Sequence, residues 1–220
     1  MGIISVEQAN RLYWLGRYTE RVYTTLRIYS RSFDMMIDEI TDSFQDFCNS
    51  LDIPNIYISK EDFTRRYPFD AQNPDSIISN LNRAYDNAIV LRESIGSEAL
   101  SYIQLAIYEM NRAAESNAPL IEMQRIVDNI LAFWGIVDDQ IDSEQIRNII
   151  KAGKRIERID LYARLGVTKG ELIREVHRMI PRVQRSGLPY EEEKLGLVKE
   201  LVESSDLDYY KIVSIVETIL

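Results

Sequence analysis

The chain has 220 residues, with 26 Lys and Arg against 35 Asp and Glu, a net charge of −9 at pH 7. That balance removes any global attraction to nucleic acid or anionic lipid, while the length is ample for a hydrophobic core. The single Cys and single His exclude an internal disulfide, a cysteine-rich zinc site and a multi-histidine metal centre.

The N-terminus, MGIISVEQAN, has neither a basic n-region nor a long apolar h-region, so it does not read as a secretory signal. The longest apolar run, Leu131 to Val137, is far short of the roughly 18 residues a membrane span needs. A cytoplasmic protein without a membrane partner is the expectation. Ser5 followed by Gln8 is a capping-box signature that opens the first helix. Val22, Leu26, Tyr29, Phe33, Met36, Ile40, Phe44 and Phe47 then recur at steps of three and four, one apolar stripe on one very long helix from about Val6 to about Asn49. Leu51 to Gln72 breaks that period with Pro54, Pro68 and scattered aromatics. It reads as a long connection, a candidate functional loop, with a short helix over Lys60 to Arg66 capped by Ser59.

Asn73-Pro74-Asp75 predicts the next helix start, running to about Ser94 and stopping near Gly96. Ser97 reopens a helix to about Glu115, and another follows from about Pro119 to Val137. After a turn over Asp138 to Asp142, Ser143 starts a helix to about Leu165; Thr168 with Glu171 caps one to about Gln184. The tail carries helices near Glu191 to Glu203 and Asp206 to Ile219. The expected fold is all-α, a bundle of about six or seven helices built around the long N-terminal one. Residues 1–220 read as one domain, with 189–220 a helical tail packed on it.

Two segments echo each other at a constant offset of 137 residues: Gly16-Arg17-Tyr18-Thr19-Glu20-Arg21-Val22 and Gly153-Lys154-Arg155-Ile156-Glu157-Arg158-Ile159. Glycine inside a helix costs about 1 kcal/mol relative to alanine, so a glycine beside an apolar stripe on each helix points to close backbone approach. The two helices are expected to cross at Gly16 and Gly153, with Glu20, Arg21, Glu157 and Arg158 near the crossing. Arg17 with Glu20 and Lys154 with Glu157 are i,i+3 neighbours that can pair on each helix; Glu20 can instead reach a cation of the other helix. Two readings stand: a structural ion-pair network, or a binding or catalytic cluster. Arg83, Asp86, Asn87 and Arg92 put further polar groups on the central helices. They form either a solvated face or a wall of the same groove, where arginine forks would hold a carboxylate or peptide.

Ala9-Asn10-Arg11-Leu12-Tyr13-Trp14-Leu15-Gly16-Arg17-Tyr18-Thr19-Glu20-Arg21 resembles the opening signature of the alpha-E domain family, a bacterial, wholly helical group. Asn73-Pro74-Asp75-Ser76-Ile77 and Arg83-Ala84-Tyr85-Asp86-Asn87-Ala88 resemble its central motif, and Gly153-Lys154-Arg155-Ile156-Glu157-Arg158 its late motif. Such proteins are usually encoded beside ATP-grasp-like ligases and transglutaminase-like proteins. The resemblance therefore implies a role in making or modifying peptide-like amide bonds, with one of those proteins as partner.

Other constellations point elsewhere only weakly. A calcium loop counted from Asp138 would need Gly where Ser143 stands and an acid where Ile149 stands. A di-iron bundle needs Glu-x-x-His, and the residue three before His177 is Arg174. There is no phosphate-binding glycine loop. Cys48, Trp14 and Trp134 read as packing residues, and the basic run Lys151 to Arg158 as intrahelical pairing. No cofactor or metal is expected. The leading expectation is a non-catalytic binding or scaffold domain. The rival is an enzyme with Glu20 or Glu157 as acid or base and arginines binding an anionic peptide-like substrate. A homodimer through the long helix is a third option.

Overall fold

The computed structural model describes residues 4–37 and 43–220, the side chains of 34–37 and 43 excepted. Among them are ten helices, α1 (Val6–Ile37), α2 (Ser43–Ser50), α3 (Lys60–Arg66), α4 (Ile77–Val90), α5 (Arg92–Glu115), α6 (Pro119–Asp139), α7 (Glu144–Arg164), α8 (Lys169–Ser186), α9 (Glu192–Glu203) and α10 (Tyr209–Val216), with no strand. The fold is all-α, as the periodicity predicts, but with ten helices rather than six or seven. The short helices of the connection and the tail make the difference. The chain divides into two compact units: residues 1–20 with 141–220, and residues 21–140.

α1 has 32 residues, about 48 Å at 1.5 Å per residue. The expected run on to Asn49 passes through residues 38–42, which lie outside the described residues; beyond them Ser43–Ser50 is helical. Ile40 lies outside the described residues, and so does the side chain of Met36.

In the unit 21–140, the stripe positions Val22, Leu26 and Tyr29 are buried. The Leu51 to Gln72 connection contributes to this core through Ile53, Tyr57, Phe63 and Tyr67, all buried, while Ile56 and Ile58 between them are exposed. Phe63 and Tyr67 stack at 5.1 Å between ring centroids, and Tyr29 and Phe47 close on them at 5.2 to 6.3 Å. Such aromatic pairs add to the area they bury. The Tyr29 hydroxyl donates to the Thr64 carbonyl at 3.0 Å. Ser59 caps α3 by accepting from the Asp62 amide, as its position predicts.

The start of α4 differs from expectation. Asn73 accepts from the Asp75 amide at 2.9 Å in a local turn, and Ser76 is the cap, accepting from the Ser79 amide at 3.1 Å. Asn-Pro-Asp is turn chemistry as much as helix-start chemistry, and here the turn prevails. Leu91 separates α4 from α5, and α5 breaks again at Gly96 (φ 84°, ψ 155°). That backbone is left-handed and extended, a region effectively reserved for glycine. α5 then packs along α6 through Ala99, Ile103, Ala106, Met110 and Ala113 facing Met123, Ile126, Ile130, Phe133 and Val137.

In the other unit, Ser143 caps α7 and Thr168 with Glu171 forms the capping box of α8. α7 and α8 lie antiparallel, held by Ala152, Ile156, Ile159 and Ala163 against Leu172, Val176, Met179 and Val183. Leu195, Val198, Val202, Ile212, Val216 and Ile219 of the tail complete this core.

Candidate functional site

The start of α1 crosses α7 at two glycines. A Cβ on Gly16 would sit 2.9 Å from the Ile150 carbonyl carbon and 3.1 Å from the Lys154 nitrogen. A Cβ on Gly153 would sit 3.1 Å from the Tyr13 carbonyl carbon and 3.3 Å from the Arg17 nitrogen. Each glycine faces the other helix's backbone, so the backbones themselves are in contact. This is the condition under which helix-interior glycine offsets its propensity cost.

The close approach carries acids and guanidinium groups of one helix onto the other. Arg17 Nε donates to Glu157 Oε2 at 2.6 Å, and Arg158 Nε to Glu20 Oε1 at 2.6 Å. Glu20 is 0% exposed and Glu157 1%. The i,i+3 spacing within each helix is thus not where these shortest bonds run; they run across the crossing. Arg17 also lies over the Trp14 ring at 5.0 Å and the Tyr13 ring at 5.8 Å, and Trp14 stacks on Tyr18 at 5.2 Å. Burial alone would lower the Arg17 guanidinium. Glu157, with Tyr13 and Asp160 behind it, outweighs that and holds it above the ordinary arginine value. Burial likewise opposes the Arg158 charge, and Glu20 more than restores it.

Two acids that sequence reasoning passed over extend this network. Asp160 is fully buried and accepts from Arg164 at 3.0 Å. Burial and neighbouring Glu157 raise its carboxyl against Arg164 and Arg17. Glu175 of α8 is buried, bonds Arg155, and accepts from Arg178 at 3.0 Å. Asp160 carried a signal, since it stands i+3 from Glu157 and i−4 from Arg164. Glu175 carried almost none, being one acid in an otherwise ordinary amphipathic helix.

Arg17, Glu20, Glu157 and Arg158 therefore come together at one crossing. Arg21, next in the chain, belongs to the other unit, where it lies near enough to the Tyr67 phenol to oppose the burial that raises it. Arg83, Asp86, Asn87 and Arg92 belong to that unit too. Arg83 donates to the Pro74 carbonyl at 2.8 Å and fastens the turn before α4. Asn87 donates to the Arg83 carbonyl at 2.9 Å. Asp86 is exposed. Arg92 donates to Ser97 Oγ at 3.0 Å across the Gly96 break.

Beside the crossing is a cavity of about 540 Å³, lined by Ala9, Tyr13, Trp14, Arg17, Leu188 and Leu220 among others. Trp14, expected in the core, is only partly buried and forms part of its wall; Trp134 is 5% exposed. Among the described residues, no three His, Cys, Asp or Glu side chains gather as a metal cage requires. No helix there is long and apolar enough to cross a membrane.

No curated protein and no solved structure matches the chain. One family model does. It is Alpha-E, described as a predicted alpha-helical domain with a conserved ER motif, and it matches residues 7–193. Both Glu-Arg pairs of the echo, Glu20-Arg21 and Glu157-Arg158, fall inside that span. By these residues and that match, the chain belongs to the Alpha-E family.

Proposed function

We propose that this protein is a binding and scaffold domain that works beside an ATP-grasp-like ligase or a transglutaminase-like protein in peptide or amide modification. On this reading it acts in the bacterial cytoplasm. One observation carries the preference for scaffold over enzyme. The motif's acids are closed to solvent, and each accepts a 2.6 Å bond from a guanidinium of the other helix. A general acid or base must reach a proton on substrate within hydrogen-bond distance. A carboxylate shut between two packed helices and held by arginine is arranged to fix the crossing instead. The cavity walled by Tyr13, Trp14 and Arg17 supplies a surface where the fixed crossing could meet a peptide-like segment.

Co-expression of the full chain with each candidate partner tests the reading. Co-purification with one of them is expected, and Glu20→Gln is expected to retain it while lowering the melting temperature. Failure to capture either partner overturns the scaffold reading. The rival, with Glu20 or Glu157 as acid or base and Arg17, Arg21 and Arg158 gripping an anionic substrate, would instead show amide turnover that Glu20→Gln abolishes without loss of fold.

A further inference from the structure

Within the unit formed by residues 1–20 and 141–220, the cavity of about 540 Å³ beside the crossing lies along one face of α1. Asn10, Tyr13, Trp14 and Arg17 recur along it at steps of three and four, and the face from Val6 to Arg17 rises about 16 Å. Gln145 of α7 and the Gly187-Leu188-Pro189 segment after α8 belong to the remaining wall.

The charged groups of that wall are already matched. Arg17 donates to Glu157 at 2.6 Å, and Glu217 accepts from Arg164 at 2.9 Å. What the wall has left to give is neutral. Among the described residues, the side chains of Asn10, Trp14 and Gln145 make no hydrogen bond. The Trp14 indole is a donor only. Each carboxamide carries both a donor and an acceptor, the same pair that a peptide group carries. Gln145 is half-buried and closely packed. Gly187 is left-handed at φ 70°, and a Cβ there would stand 2.7 Å from Gln145 Nε2. The bare glycine lets the chain pass over that carboxamide.

We propose that this cavity binds a short, uncharged peptide in extended conformation. Its apolar side chains lie against Tyr13, Trp14 and Pro189, and its main-chain amides meet Asn10, Gln145 and the Trp14 indole. An extended chain rises about 3.3 Å per residue, so about five residues cover the α1 face. A helix of the same length, roughly 10 Å across, would fill on the order of 1,200 Å³, more than the cavity holds. A charged ligand would lose its water to a wall whose own charges are paired, which is unfavourable. An aromatic-walled cavity with a few neutral hydrogen-bonding groups is instead how extended apolar peptides are recognised. The proposal deepens the scaffold reading and rests on it for the source of the peptide, a segment of the partner protein.

Peptide titration of the full chain tests it with neither partner present. The probe is acetyl-Ala-Pro-Leu-Pro-Ala-amide, uncharged and kept extended by its prolines. Calorimetry is expected to give a Kd below ~1 mM. In the Trp134→Phe chain, where Trp14 is the one tryptophan left, the probe is expected to move the emission to shorter wavelength as the wall loses water. Asn10→Ala with Gln145→Ala is expected to weaken binding at least ~10-fold. Asn111→Ala with Asn117→Ala, which removes two exposed carboxamides that do not line the cavity, is expected to change it by less than ~2-fold. Acetyl-Asp-Pro-Leu-Pro-Asp-amide and its lysine counterpart are expected to bind at least ~5-fold more weakly than the probe. Should the first double variant not fold, Asn10→Ala alone, at an exposed position, is expected to weaken binding at least ~3-fold. No saturable heat at ~5 mM probe, equal effects of the two double variants, or tighter binding of either charged peptide each overturns the proposal. Capture of a partner without probe binding overturns it and leaves the scaffold reading standing. Probe binding without capture of a partner overturns the scaffold reading, and with it the partner as source, while the cavity keeps its ligand class.

Discussion

At the scale of single residues, the pairs at the crossing are costly to build and costlier to break. Desolvating a carboxylate and a guanidinium together yields little net stability, but removing one partner strands the other. Arg17 is 7% exposed and bonded to Glu157. Glu157→Gln is therefore expected to cost about 2–4 kcal/mol in chemical denaturation, and Glu157→Leu combined with Arg17→Met to cost less than Glu157→Leu alone. Equal stability of wild type and Glu157→Gln would show that the pair contributes nothing. Lys154 makes a prediction of opposite sign. Its ammonium lies at about 7 in the folded protein against an ordinary lysine value of 10.5. Between those values the unfolded chain binds a proton that the folded one does not, so this group's contribution to stability rises with pH across that window. Below about 7 both states carry the proton and the burial penalty is complete. Lys154→Met is expected to be more stable than wild type by ~1–2 kcal/mol near pH 6, with the gap closing toward pH 10.5. Paired denaturation curves across that range read the sign directly.

At the scale of elements, much was legible because local chemistry dictates it. Ser59, Ser143 and Thr168 announce the starts of α3, α7 and α8 through side-chain oxygens that can accept from the first-turn amides. Other boundaries were less legible because two local chemistries competed. Asn73-Pro74-Asp75 fits both a cap and a turn, and only packing around Ser76 decides. The paired glycines were legible as a crossing because glycine is disfavoured inside helices unless something needs the space. Which acid bonds which arginine was not, since i,i+3 spacing permits pairing within a helix as readily as across two. Substitution at the glycines separates propensity from approach. Gly135 of α6 has no atom within 4 Å of where its Cβ would stand, so Gly135→Ala is expected to stabilise by about 0.5–1 kcal/mol through helix propensity. Gly153→Ala gains the same propensity but drives a Cβ into the Tyr13 carbonyl. That contact is rigid backbone, so a net loss of about 2 kcal/mol or more is expected. A stabilised Gly153→Ala in thermal melts would remove the crossing from the account.

At the scale of the whole molecule, hydrophobic periodicity made the all-helical class readable, since 3.6-residue spacing recurs along nearly the whole chain. The division into two compact units was not readable. Composition does not change at Glu20 or Gln140, and α1 continues through the first of these boundaries as uninterrupted helix. The candidate residues separate along the same line, with Arg17, Glu20, Glu157 and Arg158 in one unit and Arg21, Arg83, Asp86, Asn87 and Arg92 in the other. Spacing along a helix fixes which residues share a face but not which compact body that face joins. The two tryptophans fall one to each unit, Trp14 in the first and Trp134 in the second, so each unit carries its own fluorescence reporter. Single-tryptophan chains, Trp134→Phe and Trp14→Phe, therefore follow the two units separately. Gly153→Ala weakens a crossing internal to the first unit, whereas Phe63→Ala opens a cavity in the aromatic core of the second, at a cost of about 3–5 kcal/mol. Gly153→Ala is expected to lower the denaturation midpoint seen by Trp14 more than that seen by Trp134, and Phe63→Ala to do the reverse. If both substitutions shift both reporters equally, the continuous α1 makes the chain one cooperative body, and the two units have no separate stability.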